Sequence, residues 1–397
     1  MNSLNKEIYL DNSATTRVHP EVVTLVSQIM SEDYGNPSSM HNKGVEAERY
    51  VINATKQIAK VLKASEKEIL FTSGGTESDN LALIGGAKAN QRAGKHIIIT
   101  AIEHPAILNT CKYLEEEGFE ISYLHVDEYG VIDLDELKSL IRPDTILVSV
   151  MYVNNEVGSV QPIQEAGALI KSINKNTLFH VDAVQGFGKC EIYPGKMNVD
   201  LMSVSGHKIH GPKGIGFLYV KTGTKLKPIS FGGGQQGGMR NGTLNVPGIA
   251  GIGLASELIT KDLEAEREKL FSLKSFFLQE IEKVDRVSVN GVKKDETGAF
   301  LVKETAPHIM NISVKGLRSE VMLHALEEEG IYISAGSACA SHSKKTSSTL
   351  KSMGKSAEEM DGALRISMSE FTEKEDLITL VDAIKRAIEV YGRFVRK

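Results

Sequence analysis

The sequence predicts an α/β protein: a mostly parallel sheet covered by helices, with a second, smaller α/β domain packed on it. Two observations predict this. Short β-rich apolar runs alternate with amphipathic stretches across the first two-thirds of the chain, which is the pattern of strand–helix–strand crossovers. A long, charged helical stretch then intervenes, and a shorter set of interspersed strands and helices follows it. At 397 residues the chain is long enough for one large core and a smaller second one.

The elements follow in order. Runs at 69–72, 97–100, 121–126, 146–153, 178–181 and 201–204 read as strands, and 215–220 is another apolar run close behind the last of them. Segments 77–90 and 164–174 have the spacing of amphipathic helices. Segment 255–284 reads as one long or broken helix linking two domains. Beyond it, 308–314, 331–334 and 364–368 read as strands and 319–329 as a helix. A final helix is expected to open at Thr372, with Glu375 completing a capping box. Gly248-Ile249-Ala250-Gly251-Ile252-Gly253 imitates a dinucleotide fingerprint, but Pro247 rather than a β-run precedes it, so helix packing explains it better.

Composition narrows the function classes. A net charge of −5 gives no sign of nucleic-acid or membrane binding over the whole surface, and no apolar run approaches membrane-spanning length. The basic residues of the last helix (Lys385, Arg386, Arg393, Arg396, Lys397) read as a solvated face before they read as a partner patch. Three cysteines, Cys111, Cys190 and Cys339, at unrelated spacings argue against a disulfide framework and a four-ligand zinc site. No hydrophobic signal-like stretch lies before the first motif, and a reducing, cytoplasmic location is expected.

The chemistry is carried by short segments. In Ser203-Val204-Ser205-Gly206-His207-Lys208-Ile209-His210-Gly211, an apolar run ends in a small-residue turn that presents an amine between two histidines. A lysine held away from bulk water beside cationic or polar neighbours is a candidate to form a Schiff base with an aldehyde cofactor; alone, it reads as a surface lysine in a hairpin. Phe71-Thr72-Ser73-Gly74-Gly75-Thr76-Glu77 follows a strand and opens a helix, so its backbone N–H groups and the Thr76 hydroxyl suit an anion, as they also suit an ordinary turn. Asp182, in His180-Val181-Asp182-Ala183-Val184-Gln185, ends a strand where a carboxylate holds a pyridinium nitrogen protonated; a helix cap is the plainer reading. His104, before Pro105, is either a helix-start residue or an imidazole that stacks on a ring and moves protons. Cys339, in Ser334-Ala335-Gly336-Ser337-Ala338-Cys339-Ala340-Ser341-His342-Ser343, lies in a small, polar stretch that suits an accessible nucleophile, with Lys344 and Lys345 favouring its thiolate. Cys111 and Cys190 fall in segments that read as regular structure and are expected to be packing residues.

Further segments complete the set: Tyr9-Leu10-Asp11-Asn12-Ser13-Ala14-Thr15-Thr16, Gly35-Asn36-Pro37-Ser38-Ser39 with His41, Asn154-Asn155-Glu156-Val157-Gly158, Arg240-Asn241-Gly242-Thr243 and Leu364-Arg365-Ile366-Ser367. In this order, over nearly the whole chain, they resemble the group I (NifS/IscS-like) cysteine desulfurases, pyridoxal-phosphate enzymes of the aminotransferase class V type. The resemblance implies an aminotransferase-type (fold type I) large domain over 16–260. It implies a small domain built from 1–15 and 261–397 that carries the cysteine loop.

It also implies roles. Lys208 would carry pyridoxal 5'-phosphate and shuttle protons, Asp182 would pair with the pyridine nitrogen, Gln185 with the ring oxygen, and His104 would lie over the ring. Gly75, Thr76, Ser205, Gly206 and His207 would hold the phosphate, with Thr243 completing that site in a neighbouring subunit, hence a homodimer. Asn155, beside the cofactor, and Arg365 would bind the substrate carboxylate. Cys339 would take sulfur from L-cysteine as a persulfide, releasing L-alanine, for an acceptor in iron–sulfur cluster assembly or tRNA thiolation. No resident metal is implied, although Cys339 is a candidate to share a partner's iron–sulfur cluster, and no direct nucleic-acid or membrane contact is implied. A selenocysteine lyase or another class V enzyme is the alternative; a non-catalytic sulfur carrier would not need Lys208, Asp182, His104 and Cys339 together. One departure stands out: where many relatives carry Glu-Arg, this chain has Gln236-Gly237.

Overall fold

A computed structural model of the protein describes residues 7–335 and 347–392. After a short strand β1 (Ile8–Tyr9), the chain forms helices α1 (Pro20–Ser31) and α2 (Asn42–Leu62). A seven-stranded sheet follows from β2 (Ile69–Thr72), β3 (His96–Thr100), β4 (Glu120–Leu124), β5 (Thr145–Met151), β6 (Leu178–Asp182), β7 (Leu201–Ser205) and β8 (Gly216–Val220). Its order is β2-β8-β7-β6-β5-β3-β4, and only β8 runs against its neighbours. The reversal follows from the short lysine-bearing turn between β7 and β8, which leaves no room for a crossover helix.

Both faces of this sheet are buried, as period-two alternation of large apolar residues requires. Ile97, Ile99, Leu147, Leu201 and Leu218 pack on one side, and Ile98, Val148, Val150, Met202 and Phe217 on the other. Each such buried side chain contributes about 1.5–3 kcal/mol. The covering helices are α3 (Gly75–Asn80), which runs through a π-helical turn into α4 (Gly86–Asn90), then α5 (Pro105–Glu116), α6 (Leu134–Leu140), α7 (Ile163–Ile173) and α8 (Val246–Thr260).

The glycine-rich start of α8 is a packing device, as expected. A Cβ on Gly253 would stand 2.6 Å from Ala54 Cα, so α2 and α8 meet backbone to backbone. The predicted helix at 255–284 is broken: α8 begins earlier, and α9 (Leu263–Ile281) follows after a short interruption.

A second, four-stranded antiparallel sheet has the order β12-β13-β10-β9, from β9 (Val287–Asn290), β10 (Ile309–Val314), β12 (Ser334–Ala335) and β13 (Ala363–Ser367). β11 (Ile331–Tyr332) instead pairs parallel with β1, so the single strand expected at 331–334 is two strands in two sheets. Helices α10 (Ser319–Glu328), α11 (Ser348–Ser352), α12 (Ala357–Asp361) and α13 (Lys374–Tyr391) complete this half. Its core, with Phe277, Met310, Ile312, Leu364, Ile366 and Ile384, is separate from the cores of the larger sheet.

Two sequence expectations need correction. α13 is capped by Glu373 with Asp376, not by Thr372 with Glu375. Thr372 is taken up in the preceding turn, where its hydroxyl accepts from the Ser369 N–H at 3.0 Å. Cys190 lies in a turn after β6 rather than in regular structure, with burial pushing its thiol up to about 11. Cys111 is fully buried in α5, as expected. Among the described residues no helix is long and apolar enough to cross a membrane.

Candidate active site

The C-terminal ends of the parallel strands carry the predicted residues to one edge of the sheet, where ligands bind in open α/β folds. β7 delivers Ser205 and then a single helical turn, Gly206–Lys208. The Lys208 ammonium donates to the backbone carbonyls of Ser13 and Ala14, the latter at 2.8 Å. Thr16 ties the two segments together, its hydroxyl donating to the His207 carbonyl and accepting from the His210 N–H. His207 Nδ1 meets the Thr15 hydroxyl at 3.1 Å, and burial beside Lys208 and Lys213 pushes its imidazole down to about 4. It therefore serves as a neutral hydrogen-bonding group. The carbonyls that receive the lysine amine make its surroundings polar.

Asp182 ends β6, and one of its oxygens accepts from the Val184 N–H at 2.9 Å, bracing a turn rather than capping a helix. Burial raises its carboxyl, while His104 and Lys208 oppose that shift, so the three groups share one electrostatic neighbourhood. His104 is also the N-cap of α5: its Nδ1 accepts from the Ala106 N–H at 3.1 Å, which leaves the proton on Nε2. Burial lowers its pKa, the Lys208 charge lowers it further, and Asp182 works against both. The structural and chemical readings of His104 are therefore compatible. Gln185 donates its side-chain amide to the same Ser13 carbonyl that accepts from Lys208.

The phosphate-type turn follows β2. Gly74 adopts φ +153°, a conformation that excludes a side chain. A Cβ on Gly75 would stand 2.8 Å from Val184 Cγ2 and 3.6 Å from Ser205 Cβ, so this turn, the Asp182 turn and the end of β7 close on one another. The helix dipole from Gly75 onward and the N–H groups of its first turn favour an anion there.

Arg365, on β13, enters from the second sheet. Its guanidinium donates to Asp11 Oδ1 at 2.8 Å and to the Asn155 carbonyl at 3.1 Å, and its buried Nε has no partner among the described residues. The Asn154 side chain shapes the loop that presents Asn155, accepting from the Glu156 and Val157 N–H groups and donating to the Ile102 carbonyl. The Glu156 carboxyl accepts from Ser347, the first described residue after 336–346, and burial raises it to about 7.

The residues present fit pyridoxal phosphate. An amine, a carboxylate and an imidazole converge, a side-chain-free cradle sits at a helix start, and the buried Ser13 hydroxyl lacks a partner among the described residues. A cavity of about 660 Å³ lies elsewhere, lined by Gln57, Phe187, Tyr193 and Leu254.

Residues 8–380 match the family model of the class-V aminotransferases. The chain is 42% identical over 393 residues to cysteine desulfurase IscS of Methanosarcina thermophila, covering 99% of this chain and 93% of that protein. The chain belongs to the cysteine desulfurases of the class-V aminotransferase family. It is also 42% identical over 387 residues to cysteine desulfurase IscS of Clostridium botulinum, with 97% and 95% covered. Among solved structures, a NifS-like protein superposes with a TM-score of 0.89 at 36% identity, covering 97% of this chain and 100% of that one. SspA in complex with cysteine gives 0.79 at 33% identity, with 92% and 100% covered. As a family, class-V aminotransferases depend on pyridoxal phosphate, and the fold expected from the sequence is the one they share.

Thr243 is exposed, and Cys339, with the rest of 336–346, lies outside the described residues. Sequence reading gave no role to Asp11, Asp79 or Glu103, or to the Gln236 side chain. The Gln236 amide accepts from the Phe71 N–H at 2.7 Å and donates to the Phe71 carbonyl at 2.8 Å. It thereby continues the hydrogen bonding of edge strand β2. Arg240 fastens the same loop to α3 by donating to Glu77 at 2.9 Å.

Proposed function

We propose that this chain removes sulfur from L-cysteine, with Lys208 holding pyridoxal phosphate and Cys339 accepting the sulfur. The observation that carries the reading is the convergence of Lys208, Asp182 and His104 beside the Gly74–Gly75 turn. When bound, the cofactor supplies an electron sink for the substrate's α-carbon. Asp182 would keep the ring nitrogen protonated, Gln185 would hydrogen-bond the ring oxygen, and His104 would cover the ring and handle protons through Nε2. The N–H groups of Gly75 and Thr76, with Ser205, Gly206 and His207, would hold the phosphate.

Arg365 and Asn155 would orient the cysteine carboxylate, and Lys208 would carry the proton from the α-carbon. The Cys339 thiolate attacks the substrate sulfur, so the C–S bond breaks as the S–S bond forms. L-cysteine and one enzyme thiol become L-alanine and one enzyme persulfide. An acceptor protein for iron–sulfur cluster assembly or tRNA thiolation would then take the sulfur in the cytoplasm. Exposure of Thr243 supports a homodimer in which it serves the neighbouring subunit's phosphate site. The separate cores support a large domain over 16–260 and a small one from 1–15 and 261–397.

The test is alanine formation from L-cysteine with a thiol reductant, comparing wild type with Cys339→Ala. The variant should keep the cofactor and bind cysteine without turning over. Full activity in the variant would remove Cys339 from the mechanism, and an inactive, pyridoxal-loaded wild type would overturn the substrate.

A further inference from the structure

Behind Asp182 lies a buried polar layer that the proposed chemistry does not use. Asp79, in α3, is 1% exposed, and its Oδ1 has no hydrogen-bond partner among the described residues. Burial raises its carboxyl, with Asp182 and Glu103 adding to the shift and the Ser203 hydroxyl opposing it. Glu103 is itself 3% exposed; its Oε1 accepts from Thr100 Oγ1 and the Met151 N–H, and its Oε2 has no partner. Three buried carboxyls therefore share one region.

The base nearest to Asp79 does not neutralise it. His180 Nε2 lies 3.7 Å from Asp79 Oδ1, but this ring sits between two hydroxyls, with Nδ1 2.8 Å from Ser149 Oγ and Nε2 2.9 Å from Ser203 Oγ. Burial holds its imidazole down to about 3, so it faces Asp79 uncharged. His104 and Lys208 act on Asp182 instead. A buried carboxylate without a cation costs several kcal/mol, and two adjacent ones cost more, so protons stay on all but one of such a group.

Position gives this layer its purpose. His180 and Asp182 are alternate residues of β6 and point to the same face, and Ser203 is the β7 neighbour of Asp182. Asp79 approaches from the helix that begins at the phosphate-type turn.

We propose that Asp79 is a positioning residue for the cofactor ring: it remains a neutral carboxylic acid behind Asp182, and so reserves the cluster's negative charge for Asp182. This rests on the pyridoxal-phosphate reading. His180, Ser149 and Ser203 would keep Asp79 in place as neutral partners.

The direct test needs no cofactor. Infrared spectra of the apoprotein at neutral pH, wild type minus Asp79→Asn, should show the carbonyl stretch of a protonated carboxylic acid lost in the variant. A carboxylate band in its place overturns the proposal, as does an Asp79→Asn chain that cannot fold, because the amide imitates the neutral acid. In the loaded protein, Asp79→Asn should leave the pH midpoint of the cofactor's visible absorbance within about half a unit, and its Kd for pyridoxal phosphate within about threefold. Asp79→Leu should weaken cofactor binding about tenfold. A midpoint moved by about a unit or more in Asp79→Asn, or an unaltered Kd in Asp79→Leu, also overturns it. Wild type that binds no pyridoxal phosphate would refute the cofactor reading while leaving the infrared result to judge Asp79.

Discussion

Asp11 and Arg365, at opposite ends of the chain, form an ion pair of 2.8 Å in which the arginine is almost fully buried. The pair joins the segment leading to Ser13 and Ala14, where the Lys208 ammonium is held, to the strand that supplies the proposed substrate arginine. Asp11 thus occupies one Nη of a guanidinium that a substrate carboxylate would also seek. Arg365→Ala should raise the KM for cysteine roughly a hundredfold, as loss of about 2–3 kcal/mol of charged hydrogen bonding implies. Asp11→Asn should lower KM about threefold by removing the competing charge, while costing about 1–2 kcal/mol of stability. Steady-state kinetics and thermal melts on both variants read these opposite signs.

Gly75→Ala should weaken cofactor binding about tenfold, because the new methyl must displace Val184 from its 2.8 Å approach and spread the anion cradle. Val184 can be trimmed. The double variant with Val184→Ala should regain most of the lost affinity, as measured by equilibrium titration of the apoprotein.

Glu103 makes stability fall with rising pH. Burial, then Asp182, raises its carboxyl to about 8, above its ordinary value of 4.5. The folded state therefore binds this proton more tightly than the unfolded state. The resulting stabilisation is complete below pH 4.5 and is lost as pH rises to about 8. Glu103→Gln should remove that dependence, gaining on the order of 5 kcal/mol relative to wild type at alkaline pH compared with acid pH. Urea melts at both ends of the range measure it; parallel pH profiles for the two proteins would contradict the assignment.

Gln236→Ala should loosen the loop that carries Thr243, because it removes both hydrogen bonds to Phe71. If Thr243 completes a phosphate site, Gln236→Ala and Thr243→Ala should each raise the cofactor Kd several-fold, roughly 1 kcal/mol. The double variant should fall well short of the product, since both changes act on one contact. Full additivity would separate Gln236 from the cofactor.

Much of the site was legible because its members sit in short motifs at strand ends. Lys208, Asp182, His104 and the Gly74–Gly75 turn each lie where an apolar run gives way to small or polar residues, and a parallel sheet gathers such ends along one edge. Thr372 shows the limit of local reading. It and Glu373 both offer an acceptor with an acidic residue three positions on, and the choice between them was made by the turn to which Thr372 was already bonded. The strand expected at 331–334 failed similarly, because its two halves pair with β1 and β13.

The sequence by itself determined the architecture and the chemistry: the periodicity of apolar residues sets strands and helices, and the reactive side chains are carried by contiguous motifs. Tertiary structure alone decided that Asp11 meets Arg365, that Gln236 bonds to a sheet edge, and that Asp79 stands behind Asp182. Those contacts join segments far apart in the chain. Sheet order and helix packing bring them together, and both are properties of the whole core rather than of any local stretch.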